Sequence, residues 1–250
     1  MGILGGTLAY RLLKRLSPAG SAHVDGSAYK NASKLEMLLG LGVWATIRGK
    51  HVVDYGSGEG DEVIEMARRG ASTVTGVEIQ ERVRSLATEK ALQAGVGDSV
   101  QFVAAAEGSA DVVVCLDSFE HFADPAAELA TMYRVLKPGG LVMASFGPTW
   151  YHPYGGHLFS IFPWAHLIFT EEALLRWRSD FKTDGARRFG EVAGGLNQMT
   201  LASFERIVDA SGFETVRVEA VPIRRIRAVS NRLTREFTTA IVRAQLRKPA

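Results

Sequence analysis

His51-Val52-Val53-Asp54-Tyr55-Gly56-Ser57-Gly58-Glu59-Gly60-Asp61-Glu62 joins an apolar run, closed by Asp54, to three glycines at every second position and then to a helical pattern from near Asp61. A strand, a tight turn and a helix start are expected in that order. Glycine suits such a turn because it accepts positive φ and lets a ligand approach the backbone with no Cβ in the way. The turn is therefore a candidate cofactor cradle.

Charge selects among cofactors. A pyrophosphate or triphosphate would sit at the N-terminus of the following helix, where free N–H groups and the helix dipole favour an anion. Here Glu59, Asp61 and Glu62 crowd that end, and Asp54 precedes it. Carboxylates in that place repel a phosphate and suit an ammonium or sulfonium cation. The spacing is G-x-G-x-G, not the G-x-G-x-x-G of dinucleotide folds, and no Lys-Ser/Thr follows as in a P-loop. Both points favour S-adenosylmethionine and make a nicotinamide-dependent oxidoreductase a poor reading.

Val63, Ile64 and Ala67 give a helical stripe that stops at Gly70. Residues 73–78 are β-branched and end on Glu78, 24 residues after Asp54. A strand-end acid at that distance accepts hydrogen bonds from ribose hydroxyls. A helix over 81–94, strands over 100–104 and 110–116, a helix over 125–136 and a strand over 141–146 follow. This alternation predicts an open parallel sheet covered on both faces, with ligands outside the C-terminal strand ends. Asp54, Glu78, Asp117 and Phe146 fall on that edge. Further on, helices over 171–177 and 201–211, a sixth strand over 214–221 and a seventh, antiparallel edge strand carrying Ala240, Val242, Ala244 and Leu246 complete the pattern. A terminal basic helix is the alternative for that last segment.

These residues carry a resemblance. From His51 to Phe146 the chain resembles class I S-adenosylmethionine-dependent methyltransferases of the broad small-molecule type. The shared motifs are Val53-Asp54-Tyr55-Gly56-Ser57-Gly58-Glu59-Gly60, the acid Glu78, Asp117-Ser118-Phe119-Glu120-His121, and Arg134-Val135-Leu136-Lys137-Pro138-Gly139-Gly140. The resemblance implies that Asp54, Tyr55, Gly56, Ser57 and Gly58 hold the methionine part of the cofactor. It implies that Glu78, with Ile79 beside it, holds the ribose, and that Asp117 and Ser118 flank the reacting methyl. Family members carry an acid after the third strand that contacts the adenine amine. Here that region is Ala104-Ala105-Ala106-Glu107-Gly108-Ser109, so adenine recognition falls to backbone groups around Ala105 and Ala106, or to Glu107. The expected fold class is α/β: a Rossmann-like open sheet, mostly parallel with an antiparallel edge strand, helices on both faces, and an aromatic-rich insertion after the fifth strand.

That insertion is the most unusual stretch of the chain. Residues 146–169 hold eight of the 22 aromatic residues and three of the six histidines, with Pro148, Pro153, Pro163 and Gly155-Gly156 preventing one continuous helix. A long irregular segment directly after a strand end is usually functional, so it is expected to build the acceptor pocket. The alternative is an aromatic-rich hydrophobic subdomain. Methyl transfer from a sulfonium is an in-line displacement that mainly needs alignment and exclusion of water. A hydroxyl acceptor also wants a base, and His121, His152 and His157 are the candidates, with Tyr151 and Tyr154 as orienting groups. His152 and His157 are five apart with no H-E-x-x-H pattern and no cysteine partner, so no metal is expected. Asn197 and Gln198 are further residues that reach the pocket if the insertion folds back over it.

Composition sets the outer bounds. A length of 250 residues and 46% hydrophobic content suit one α/β domain with an inserted cap, and no run of 18 apolar residues suggests a membrane span. Arg11 and Lys14 follow the apolar N-terminal residues, the wrong order for a secretory signal, and the sixth residue is Gly, which argues against myristoylation. The single cysteine, Cys115, excludes an internal disulfide and fits a reducing cytoplasm. Net charge of +2 does not imply nucleic-acid binding. From Arg217 onward, however, nine Lys/Arg face only Glu219 and Glu236. A solvated basic face is the plain reading, and contact with an anionic membrane face or an acidic substrate the functional one. The expected organisation is a helical lid over 1–50, with a short amphipathic helix over 1–20 ending near Ser17-Pro18-Ala19-Gly20 and a second helix over 28–47, a cofactor-binding core over 51–146, an acceptor-pocket insertion over 147–200 and completion of the sheet over 201–250. Two functions compete: a cytoplasmic methyltransferase acting on a small or lipid-like acceptor, at oxygen before nitrogen or carbon, and a non-catalytic cofactor-binding or membrane-associated interaction protein on the same fold.

Overall fold

Val52 and Val53 of β1 (His51–Tyr55) point to opposite faces of the sheet, and both are buried, so β1 is covered on both sides. β1 pairs in parallel with β2 (Thr73–Val77) and with β4 (Ala110–Leu116), Asp54 lying level with Gly76 and Val114. The computed structural model describes residues 2–18, 32–192 and 194–250. It adds β3 (Val100–Val103), β5 (Leu136–Phe146), β6 (Glu214–Pro222) and β7 (Thr239–Arg247), and the seven strands run in the order β3-β2-β1-β4-β5-β7-β6.

Antiparallel pairing is confined to one side of this sheet, where β7 meets β5 and β6. β7 slots between those two strands, which leaves β6 outermost. The apolar content explains the choice: β7 buries Val242, Ala244 and Leu246, whereas residues 214–217 of β6 are exposed. The segment expected to stop a helix, Lys137-Pro138-Gly139-Gly140, lies inside β5. The β4–β5 register slips there between Ala110 and Val112, a bulge that absorbs the proline and both glycines.

The helices are α1 (Gly6–Leu16), α2 (Lys34–Leu39), α3 (Val43–Ile47), α4 (Asp61–Arg68), α5 (Glu81–Gln93), α6 (Pro125–Val135), α7 (Ala165–Ile168), α8 (Glu171–Arg178), α9 (Leu201–Asp209) and α10 (Arg235–Thr238). Residues α2, α3 and α4 bury on the sheet, among them Leu35, Leu38, Ile47, Val63 and Met66, cover the face bearing Val52, Val112 and Val114. Leu129 and Met132 of α6 and Leu201 and Phe204 of α9 cover the other face, around Val53, Val113 and the buried thiol Cys115. α6 starts on Asp124, which accepts the Ala127 N–H at 3.0 Å, followed by Pro125; α9 starts on a capping box between Thr200 and Ser203. Gly40, at φ +85°, splits the helix expected over 28–47 into α2 and α3. Residues 28–31 of that span, and the end of the first helix near residues 19 and 20, lie outside the described residues.

A separate core belongs to the insertion. Trp150, Phe159, Phe169, Leu174, Trp177 and Phe189 pack together with Ala9 and Leu13 of α1. Trp177 Nε1–H donates to the Ser17 carbonyl at 2.8 Å, and the Ile3 and Leu4 N–H groups donate to the Ile168 carbonyl, so α1 is tied to the insertion at both ends.

Candidate active site

The carboxyl edge of the sheet gathers the ends of β1, β2, β4 and β5. The glycine turn after β1 is pinned to β2 by two hydrogen bonds, the Gly56 and Ser57 N–H groups both donating to the Val77 carbonyl at 3.0 and 2.9 Å. Gly56 has φ +91°, and a Cβ there would stand 2.7 Å from Ser118 Oγ. Gly60 has φ +82°, and its Cβ would meet the Phe102 ring at 2.6 Å. Both glycines are dictated by closeness to the next strand. Gly58, at φ +49°, differs: among the described residues nothing lies within 4 Å of its Cβ position, so they leave the turn open on that side.

Asp54 is buried at the end of β1, and burial, with Glu62 nearby, pushes its carboxyl up to about 8 against the opposing pull of Lys34. Lys34 Nζ lies 3.1 Å from Asp117 Oδ2 and 4.0 Å from Glu62 Oε1. Burial works against the lysine's charge, but Asp117, Glu62 and Asp54 outweigh it and hold its pKa above the ordinary range. Of the acids that crowd the start of α4, Glu59 and Asp61 bind Lys90 at 3.2 and 2.9 Å. Asp54, Glu62 and Asp117 therefore make the acidic part of the cleft, and Lys34 is its counter-charge. Sequence alone offered no sign of Lys34, which stands 20 residues before Asp54 outside any motif.

Glu78 stands at the end of β2 with Oε1 accepting the Gln80 N–H at 2.8 Å, which orients the carboxylate. Ile79 beside it is 82% exposed. Glu78 N–H donates to the Val103 carbonyl, joining this end to the start of the loop that holds exposed Ala105 and half-buried Ala106. The Tyr55 side chain turns away from the turn: its hydroxyl donates to Glu128 of α6, so only its backbone belongs to the cradle. Ser57 Oγ is buried with no partner among the described residues, while Ser118 Oγ donates to the Leu116 carbonyl at 2.9 Å. Asp117 takes a left-handed backbone, φ +49°, costly for a non-glycine residue and common at functional sites.

Glu120 is a residue that the motif contained and sequence reasoning left without a role. One carboxylate oxygen accepts the Gly147 N–H at 3.1 Å, the other is buried without a partner among the described residues, and burial pushes the group up to about 8. A folded chain that holds this proton from about pH 4.5 to 8, while the unfolded chain releases it, loses stability as pH rises across that window. The difference amounts to a few kcal/mol, on the order of 1.4 kcal/mol per pH unit at most. Glu120→Gln, neutral at every pH, is expected to gain stability over the parent from pH 5 to pH 8 in urea melts. Parallel stability curves would refute a protonated Glu120.

The histidines divide into distinct settings. His121 and His157 meet edge to face, ring centroids 5.3 Å apart, and His121 Nδ1 lies 2.9 Å from the Gly195 carbonyl. A carbonyl only accepts, so Nδ1 bears a proton, and in the neutral ring the lone pair falls on Nε2. His157, left-handed at φ +51°, is held down to about 4 by burial and by His121. His152 is likewise held down to about 4 by burial, and its Nδ1 accepts the Tyr154 N–H at 3.0 Å. Tyr151 is exposed and stacks on Phe237 of α10, 5.3 Å between centroids, away from the histidine pair. Asn197 ties the insertion to the β4 loop: its Nδ2 donates to the Phe119 and Phe122 carbonyls at 2.6 and 2.8 Å. Among the described residues no cluster of three or more His, Cys, Asp or Glu is arranged to hold a metal ion, and no helix is long and apolar enough to cross a membrane.

An open glycine turn, a buried carboxyl below it and an oriented acid at the next strand end form a donor set for a cation and a ribose. Those features fit S-adenosylmethionine. A family model described as a methyltransferase domain matches residues 27–218. The ubiquinone biosynthesis O-methyltransferase of Pseudomonas aeruginosa (strain LESB58) is 38% identical over 107 residues, which cover 40% of this chain and 46% of that protein. The chain thus spans about half the length of the curated relatives it matches. Among solved structures, a SAM-dependent methyltransferase from Aquifex aeolicus superposes with a TM-score of 0.53 at 15% identity, covering 90% of this chain and 99% of that one. Geranyl diphosphate C-methyltransferase from Streptomyces coelicolor A3(2) superposes with a TM-score of 0.52 at 14% identity, covering 80% and 72%. At such identities the likeness is one of fold.

Proposed function

This chain belongs to the methyltransferase domain family, as a class I S-adenosylmethionine-dependent methyltransferase, and we propose that it methylates a hydroxyl oxygen of a small, largely apolar acceptor. The observation that carries this reading is His121: it follows the β4 end that bears Asp117, with Nδ1–H fixed on Gly195 and Nε2 left as a base. The similarity to ubiquinone O-methyltransferases supports oxygen over nitrogen or carbon.

S-adenosylmethionine supplies an activated methyl group, so the protein's work is to bind, align and keep water out. In this reading Asp54 and the Gly56–Ser57–Gly58 backbone hold the amino acid end, with Lys34 facing its carboxylate and Asp117 and Ser118 flanking the transfer. Glu78, with Ile79 beside it, accepts the ribose hydroxyls, and backbone groups of Ala105 and Ala106 meet the edge of the adenine. His121 takes the hydroxyl proton as the oxygen attacks. His157, kept neutral, adds no positive charge against that proton, and His152 and Tyr151 shape the outer insertion. Residues 147–200 serve as the acceptor pocket, with Ala9 and Leu13 of α1 packed against their core. Buried Cys115 is consistent with a cytoplasmic setting. The basic segment from Arg217 is read as a contact for an anionic surface, although Arg235 binds Glu205, Arg243 and Arg217 bind Glu219, and Lys248 donates to the Tyr133 and Leu136 carbonyls.

Calorimetric titration with S-adenosylhomocysteine tests the cofactor half. Glu78→Ala, which removes hydrogen bonds to a charged acceptor, is expected to weaken binding about ten- to hundredfold with an unchanged melting temperature. Turnover of a phenol panel with methyl-labelled cofactor tests the acceptor half. A folded chain that binds the cofactor and methylates no hydroxyl would refute oxygen as the acceptor atom.

A further inference from the structure

We propose that α1 docks the protein on an anionic lipid bilayer, lying in the headgroup plane with its leucine ridge inserted. α1 buries only Ala9 and Leu13 against the insertion. Leu8, Leu12 and Leu16, four apart, form a second apolar stripe that faces solvent, Leu8 being 80% exposed, and Ile3 just before the helix is 89% exposed. Arg11 and Arg15 sit one position before Leu12 and Leu16 and are exposed on the adjoining face. A leucine ridge flanked along its length by arginines is the pattern of a helix lying at a membrane interface, where long basic side chains reach back to the headgroups.

Charge complementarity selects this occupant. Residues 2–18 contain no Asp or Glu, and while Lys14 pairs with Asp180 at 3.1 Å, Arg11 and Arg15 are exposed. A second copy of the chain, packed ridge to ridge, would bring the same arginines together across a two-fold axis. An anionic bilayer meets both the leucines and the arginines. The connection between β6 and β7 leaves the same carboxyl edge as the insertion and presents Arg224, Arg225 and Arg227 with exposed Val229 and Leu233, again with no acid from 220 to 235. Tyr151 of the insertion stacks on Phe237 of that connection. Because α1 is tied to the insertion, docking through α1 brings the insertion close to the lipid.

This inference does not depend on the acceptor, because vesicle binding is read without turnover. The full chain is sedimented with phosphatidylcholine vesicles, alone or containing phosphatidylglycerol. Binding to the anionic vesicles is expected, weakening as salt rises. The Leu8→Gln/Leu12→Gln double variant should lose at least about tenfold in partition, and Arg11→Gln/Arg15→Gln should lose the preference for phosphatidylglycerol. These side chains are exposed, so the melting temperature and S-adenosylhomocysteine binding should stay as in the parent. Absence of vesicle binding by the folded parent, equal binding to both kinds of vesicle, or full binding by the leucine variant would overturn the proposal. So would a dimer in light scattering that the leucine substitutions dissociate, which would assign the ridge to a second copy.

Discussion

His121→Gln is expected to lower kcat for a hydroxyl acceptor by about 10²- to 10⁴-fold, the usual contribution of a positioned general base. The tautomer is set by the Gly195 carbonyl, which obliges Nδ1 to carry the proton and leaves Nε2 as the only ring atom able to accept one. Glutamine keeps a donor for that carbonyl but has no basic nitrogen, so the loop stays closed while the proton acceptor is gone. Affinity for S-adenosylhomocysteine should be unchanged. His152→Gln makes the contrast, because its Nδ1 is already occupied by the Tyr154 N–H; it is expected to change kcat only a few-fold. A His121→Gln protein that turns over within about threefold of the parent would remove His121 from the reaction, leaving alignment alone to carry it.

Asp54→Asn is expected to weaken S-adenosylmethionine binding about a hundredfold near pH 8, since a buried carboxylate facing an ammonium is worth a charge-assisted hydrogen bond and more. The parent should also show a proton linkage that the variant lacks. In the free protein Asp54 is pushed up to about 8, so at neutral pH it is mostly protonated. A cationic ligand binds the ionised form, which requires release of that proton. Affinity should therefore rise with pH, at most about tenfold per unit, and level off near 8. Calorimetry in two buffers of different ionisation enthalpy reads the proton directly. No proton release by the parent at pH 7 would mean that Asp54 is ionised before the cofactor arrives.

The sheet was legible because its strands are short apolar runs closed by a distinctive residue. Val52-Val53-Asp54, Thr73 to Glu78 and Val112 to Asp117 each carry a buried stretch and the polar group that ends it. The glycine turn was legible for the same local reason: Gly56 and Gly60 are required where a Cβ would strike Ser118 or Phe102. Periodicity also located a seventh strand, but its place between β5 and β6 depends on how much apolar surface each of two competing strands has to bury, a comparison made only once both lie against the sheet.

The site divides along the same line. Acids next to the glycines pointed to a cation from sequence alone, because charge and chain proximity are both local, but folding gave Glu59 and Asp61 to Lys90. Lys34 could be paired with Asp117 and Glu62 only by folding α2 across the sheet, and the raised carboxyls of Asp54 and Glu120 depend on water being excluded by residues far away in the chain. Three histidines looked equivalent in sequence. Burial and the Gly195 carbonyl, contributed by a segment 74 positions from His121, made them different. Residue type and spacing determined the fold and the class of cofactor; which groups are charged, and which nitrogen carries a proton, was decided by the tertiary structure, since both follow from solvent exclusion and hydrogen-bond partners that no local stretch contains.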